Sequence, residues 1–502
     1  MLRKVAALLV VVFCLCFQQA RAHEGHEAAK NVKTAKSKGL PVKSMPLTTS
    51  SVKARDLYQR AILDNELLYG ERAMIGWRAA AKEDPQFAAA FAMLALNSRD
   101  PEEVSTSRAR AKELSAKVTP GEKLMIRWIS TVQEGNFMEG IAAMNDMIAM
   151  FPRDKHLYYL AANWLMGVRG YEQAHRLLHK SLDIDPNFAA ALNNLAYLHM
   201  HARQFDEAIA SIEHYAALLP REPNPQDSYG EILRTAGRFE GALEHYRAAL
   251  AIDPNFNSSQ GGLAETYAVM GDEARAREEY DKAIDREPSR ANRFDYRLQK
   301  ASTWVREKNY VEADREFWQI SVEAHSQSYE LHEGQALRQM AQYGSDDKQA
   351  LERLASAEDA LTHRQNLAAS DRDEERARIL RVRAARSLQA GKADAAQFAL
   401  NQLGELAAAN RDSLIQECWH GAAGEALAAK GNFKEAIAEL EEDQDNPETL
   451  LWLVRAYKET GAADLSRSTE DRLRTTNLPS LEQALAAAAL QEKVAPAPVA
   501  EK

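Results

Sequence analysis

Cysteine is nearly absent from this chain of 502 residues, which has three. Two of them, Cys14 and Cys16, lie close to the N-terminus, so a product that loses that stretch keeps Cys418 alone. A lone thiol closes no internal disulfide, and stability must then come from packing. Glycine (23) and proline (16) are also sparse, which excludes long flexible or low-complexity tracts. Runs of Val, Ile and Thr hardly occur beyond the first residues, which leaves little from which to build a sheet. Positive charge is not in excess: 63 Lys and Arg face 73 Asp and Glu, for a formal net charge of −10. A basic footprint for nucleic acid is therefore missing. Missing too are a Gly-rich phosphate loop, a Gly-x-Ser-x-Gly elbow and a Cys-x-x-Cys pair.

Long apolar runs are limited to one. Val5 to Phe17 follows Arg3 and Lys4, is too short to span a bilayer comfortably, and precedes Ala20-Arg21-Ala22. A positive start, a short apolar stretch and small residues at the end read as a signal peptide over 1–22, cleaved before His23. Phe13 and Leu15 stand before Cys14 and Cys16, where a lipoprotein signal carries a small residue. The expected product is exported, periplasmic or secreted, and soluble. Losing Arg3, Lys4 and Arg21 makes it more acidic still.

What the chain has in quantity is Ala, Leu, Glu, Arg and Gln, the residues that lose least on entering a helix. Residues 23–52, with Lys30, Lys33, Lys36, Lys38 and Lys43 among Ser, Thr, Gly and Pro, show no apolar period and read as a disordered linker. Beyond Ala54, helical stretches alternate with short breaks. Pro152, Pro186, Pro220, Pro254 and Pro288 recur at a 34-residue step. Aromatics keep that step at Phe137, Tyr171, Phe205 and Phe239, and small residues at Gly140, Ala174, Ala208, Ala242 and Ala276. Larger residues follow at Met144, Leu178, Ile212, Tyr246 and Tyr280, with further small ones at Ala162, Ala196, Gly230 and Ala264. Small residues let two helices approach, and the larger residue one turn on fills the adjoining groove. Gly135, Gly237 and Gly271 sit where a first helix must end in a left-handed residue.

A 34-residue helix–turn–helix with this residue code resembles the tetratricopeptide repeat. The stretch ALNNLAYLHMHARQFDEAIASIEHYAALLP at 191–220 carries the likeness best. It implies an all-α fold: a repeat solenoid forming a right-handed superhelix. The expected organisation is a first array over 54–364, best formed at 121–290. A second array over 377–491 ends in a capping helix at Leu481–Gln491, and 492–502 is a disordered tail. The pattern is weakest at 88–120 and 331–364. A bend around 365–376 is expected to split the array.

The family places a partner-binding groove on the first helix of each pair. Carried over by position, the groove here holds Tyr159, Asn163 and Met166, then Asn193, Tyr197, Met200 and His201, then Asp227, Glu231 and Arg234, then Glu265. Tyr, Met and Asn suit an extended peptide. Some members clamp a C-terminal carboxylate with two Asn and three cations. Asn163 and Asn194 fill the asparagine places, but Tyr159, Asn224 and Ser228 stand at the cationic ones, so that clamp is broken. The resemblance implies a non-catalytic scaffold with a protein or peptide partner, no cofactor and no nucleic acid; oligomeric state stays open. The alternative is metal handling by His23 and His26 at the mature N-terminus. His175 and His179 have ligand spacing but no third ligand, and Arg376 to Arg386 reads as a solvated, self-neutralised face.

Overall fold

The computed structural model describes residues 44–362 and 367–491. Among them are twenty-five α-helices and no strand. The first pairs are α1 (Val52–Glu66) with α2 (Gly70–Glu83), α3 (Ala88–Asn97) with α4 (Pro101–Leu114), and α5 (Pro120–Gln133) with α6 (Phe137–Met150). Four regular pairs follow: α7 (Lys155–Gly167) and α8 (Tyr171–Ile184), α9 (Ala189–His201) and α10 (Phe205–Leu218), α11 (Asn224–Thr235) and α12 (Phe239–Ile252), α13 (Asn257–Met270) and α14 (Glu273–Arg286). Then come α15 (Arg290–Arg306) and α16 (Tyr310–Gln327), α17 (Glu330–Met340) and α18 (Asp347–Ala360), and α19 (Ala369–Gln389) and α20 (Ala393–Ala409). The array closes with α21 (Ser413–Ala429) and α22 (Phe433–Leu440), α23 (Pro447–Glu459) and α24 (Ala463–Arg474), and α25 (Leu481–Gln491).

The repeated residues do the packing work foreseen for them. Ala174, Ala208, Ala242 and Ala276 are wholly buried, as are Leu178 and Ile212, with Tyr246 and Tyr280 nearly so. Burying each large side chain contributes roughly 1.5–3 kcal/mol. The closest fit surrounds Tyr246: a Cβ on Gly262 would lie 2.2 Å from its ring, and one on Gly230 would lie 3.0 Å away. Gly237 and Gly271 end their helices with φ of 77° and 82°. At the same place in the two preceding units, Arg169 and Arg203 adopt φ of 59° and 58°. A left-handed non-glycine residue costs about 1–2 kcal/mol, so something must hold these two there.

Several expectations about organisation change. The linker was expected to reach residue 52, yet 44–51 is pinned to the array. Met45 is buried, its N–H donates to the Asp154 carboxylate (2.9 Å), and the Thr48 N–H donates to Glu122 (3.0 Å). Polar side chains far along the chain anchor this strap, so its own composition could not reveal it. The weak stretches at 88–120 and 331–364 also form helix pairs. Asp100-Pro101 caps α4: the Asp100 carboxylate accepts from the N–H of Glu102 and Glu103, with Pro101 in the first turn. The split near 365–376 is not found: α19 starts at Ala369 rather than 377, and the described residues form one compact unit. The last helix does more than cover an open end. α25 packs on α23 and also on α15, with Leu481 buried in the cluster built by 291–382.

The array also returns on itself. Tyr69 donates to Glu222 (2.9 Å), Arg72 pairs with Asp253 (3.1 Å), and Arg99 pairs with Asp295 (2.8 Å). Farther on, Arg169 pairs with Glu417, and Arg203 donates to the Thr475 hydroxyl (2.9 Å). The two strained arginines are thus those whose side chains reach the C-terminal helices. Leu68, Lys308 and Ser328 adopt the same backbone region elsewhere in the array.

Candidate functional site: the inner face

First helices of successive pairs pack on one another, α7 on α9, α9 on α11, α11 on α13 and α15 on α17. A side chain recurring every 34 residues on these helices therefore meets its counterpart in the next unit. Tyr197, Glu231 and Glu265 form such a column. The Tyr197 hydroxyl donates to Glu231 (2.8 Å), and Arg234 bridges Glu231 (3.5 Å) and Glu265 (3.0 Å). Arg234 is buried, so its charge is desolvated and is offset by the two carboxylates that flank it. Burial pushes the Glu265 carboxyl above its usual range, and Arg234 opposes that rise. Arg234 thus offsets part of the negative charge that Glu231 and Glu265 bring to this stretch.

The remaining groove candidates divide. Asn163 and His201 are exposed, Met166 is half-buried, and His201 stacks on Tyr171 at 4.9 Å between ring centres. Tyr159, Asn193, Met200 and Asp227 are buried and belong to the wall rather than to an open groove. Tyr159 packs edge-on to Phe188, 5.6 Å away. Asp227 accepts from the Ser259 hydroxyl (2.6 Å). Burial lifts its carboxyl to about 7, with Glu231 and Glu265 adding to the rise and the Ser259 bond opposing it. The two clamp asparagines bond each other, Asn194 to Asn163 at 3.1 Å, while Asn224 and Ser228 are sealed in the core. No carboxylate clamp can assemble there.

Sequence reasoning missed the C-terminal half of the site. The Arg-rich face of α19 is not solvated. Arg381 is buried against Asp443 (2.6 Å) and Thr449 (2.7 Å), and Arg338 of α17 is buried against Glu375 (2.6 Å). Arg376 and Arg383 both donate to Glu358 of α18. These helices enclose a polar cavity of about 430 Å³, with Arg169, Arg378, Glu417, Cys418 and Glu448 in its wall. Burial, against the pull of Arg169, lifts Glu417 to about 7, and burial raises the Cys418 thiol to about 11. The signal that points here is the arginine at 169 and 203, where neighbouring units have glycine. A second cavity of about 410 Å³ lies under the N-terminal strap, lined by Met45, Tyr58, Met93, Met125, His156 and Tyr159.

His175 and His179 approach to 3.2 Å between ring nitrogens, with His199 nearby. Among the described residues no three ligating side chains converge on a metal position. His23 and His26 lie outside the described residues. No helix among the described residues is long and apolar enough to cross a membrane.

Residues 169–229 and 233–295 match the model of the tetratricopeptide repeat family. Those residues are tetratricopeptide repeats. The matched stretch is the part of the array with the strictest 34-residue step. No curated protein matches the chain. Among solved structures, a tetratricopeptide repeat protein from Parabacteroides merdae is 12% identical, over 54% of this chain and 92% of its own, at a TM-score of 0.35. The Cut9–Hcn1 hetero-tetramer of APC/C is 16% identical, over 83% and 76%, at 0.41. YrrB, a tetratricopeptide repeat protein described as having an unusual peptide-binding site, is 19% identical, over 35% and 89%, at 0.24. The tetratricopeptide fold suggests a protein–protein interaction scaffold, and proteins of this kind are generally non-catalytic.

Proposed function

We propose that this tetratricopeptide repeat protein is a non-catalytic scaffold that binds an extended segment of a protein partner along its inner face. We place it in the cell envelope or outside the cell, from the signal-like residues 1–22. The supporting observation is the Tyr197–Glu231–Arg234–Glu265 column, a row of donors and acceptors repeated at the spacing of the units. Backbone amides of an extended chain offer matching groups, and side chains fixed by their neighbours lose little entropy on binding.

Cross-linking the protein in its native compartment and identifying the captured chains supplies the partner. Tyr197→Ala together with Asn163→Ala should then weaken capture about tenfold or more, as loss of central aromatic contacts does. Helicity by circular dichroism should stay unchanged. Undiminished capture by a fully helical double variant would remove the inner face from the account. The metal-handling alternative rests on His23 and His26 alone, and copper calorimetry on the chain beginning at His23 tests it.

A further inference from the structure

The inner face already carries an extended segment, and it belongs to this chain. After α24, residues 476–480 have no regular secondary structure and run past the units in order. Thr475 meets Arg203 after α9. Asn477 meets the end of α11: its carbonyl accepts from Arg234 (3.2 Å), and its amide donates to the Thr235 carbonyl (3.1 Å). The carbonyls of Leu478 and Ser480 accept from Arg306 at the end of α15 (3.4 and 3.2 Å). Glu482 closes the track against Arg338 of α17 (3.4 Å) and Gln342 in the turn after it (3.0 Å).

Three features separate this track from ordinary core. Apart from the Thr475 hydroxyl and the Asn477 side-chain amide, its contacts fall on backbone carbonyls and on one carboxylate, groups that another extended segment can present equally well. The Leu478 side chain, the most apolar group between 476 and 480, is exposed. Moreover, the segment does not fill the space it crosses. Leu478, Pro479, Ser480 and Glu482 form one wall of the 430 Å³ cavity, opposite Arg378 and Arg381.

We propose that the track is a recognition site for an extended partner segment that presents carbonyls to Arg234 and Arg306 and a carboxylate side chain to Arg338 and Gln342. Residues 475–482 occupy it in cis until such a segment displaces them. This rests on the inner-face reading above and names what that face selects: an acidic, extended stretch. Although burial opposes it, the Glu482 carboxyl is held below its usual range, with Arg338 and Gln342 favouring the charged form. A partner carboxylate would gain the same partners. Displacement exchanges carbonyl and carboxylate bonds for like ones, and opening frees residues 476–480, which lack regular secondary structure, together with the first turn of α25, where Leu481 is buried.

The test uses the full chain and a fluorescent synthetic peptide with the sequence of residues 474–484. Against the unaltered protein, Asn477→Ala with Glu482→Gln should bind the peptide at least tenfold more tightly, because the cis segment no longer competes. Adding Arg338→Ala should abolish that gain. Equal affinity for both proteins, or a gain that survives Arg338→Ala, overturns the proposal. If the double variant loses helicity, hydrogen exchange on the unaltered chain decides. Excess peptide should speed exchange across 475–482 severalfold, and unchanged exchange overturns cis occupancy. Partner capture that falls with Tyr197→Ala but does not respond to the double variant sinks this inference alone. Capture indifferent to Tyr197→Ala sinks the inner-face reading beneath it.

Discussion

Helices α5–α14 and helices α15–α25 build the same helix pairs from different materials. In the first region nearly every helix has 13 or 14 residues, and each unit meets the next through wholly buried alanines set against Leu, Ile or Tyr. In the second, α15, α16, α19, α20 and α21 have 17 to 21 residues, and charged pairs such as Arg338–Glu375 and Arg381–Asp443 are buried between helices. Alanine contacts are short-range and identical from unit to unit, so they propagate a regular array. Arginine reaches farther and bonds directionally, so it ties one unit to a particular partner. The first region therefore provides the repeating column of the inner face. The second folds back onto it and carries its own segment into that face.

The largest expected effect falls in the second region. Arg381→Met leaves Asp443 buried with only Thr449 as partner, and should cost about 3–5 kcal/mol in chemical denaturation. Pairing it with Asp443→Leu should recover most of that loss; a double variant as unstable as the single would show that shape rather than charge holds α19 to the helices after α22. Gly421 belongs to the same arrangement, since its Cβ would lie 2.3 Å from the Asp443 carboxylate.

In the first region, Gly262→Ala drives a methyl into the Tyr246 ring and should cost about 1–3 kcal/mol. Hydrogen exchange should place the loss in α11–α13 and leave α19–α23 protected. Exchange rising equally in both regions would mean that the two are one cooperative unit and would erase the contrast.

Asp227→Asn should have the opposite sign. Its carboxyl titrates near 7 in the folded protein against an ordinary value of 3.8, so the charged form is disfavoured by folding. That penalty is absent below pH 4, grows as pH rises from 4 to 7, and is complete above about 7. The variant should therefore be more stable by on the order of 2 kcal/mol at pH 8, with the gap shrinking towards pH 4. A gap independent of pH would assign the effect to packing. The smallest change is Arg72→Ala, which removes an exposed contact between distant units and should cost less than about 1 kcal/mol, less again in high salt.

Legibility follows the same divide. Prolines, aromatics and small residues at a 34-residue step made the helix pairs of α5–α14 readable, because nearest-neighbour packing writes one residue code into every unit. The pattern at 88–120 read as weak in part because a cap such as Asp100-Pro101 shares its residue types with a loop until the helix after it is known. The inner-face positions were readable on the first helices, since their phase follows from the repeat. Whether Tyr159, Asn193, Met200 and Asp227 stayed open or became wall was not, because burial there depends on what packs across the face.

From its sequence alone, this protein has a determined local grammar: helices, their pairing, the unit length and the helix face that looks inward. These depend on residues a few turns apart, and backbone geometry and side-chain size settle them. Tertiary structure alone decided that the array returns on itself, that Arg169 and Arg203 reach partners in the C-terminal helices, and that residues 475–480 run past α11 and α15. Contacts separated by up to 272 residues leave no period to read. They arise only once many units have stacked and the middle of the array meets both its first units and its last helices.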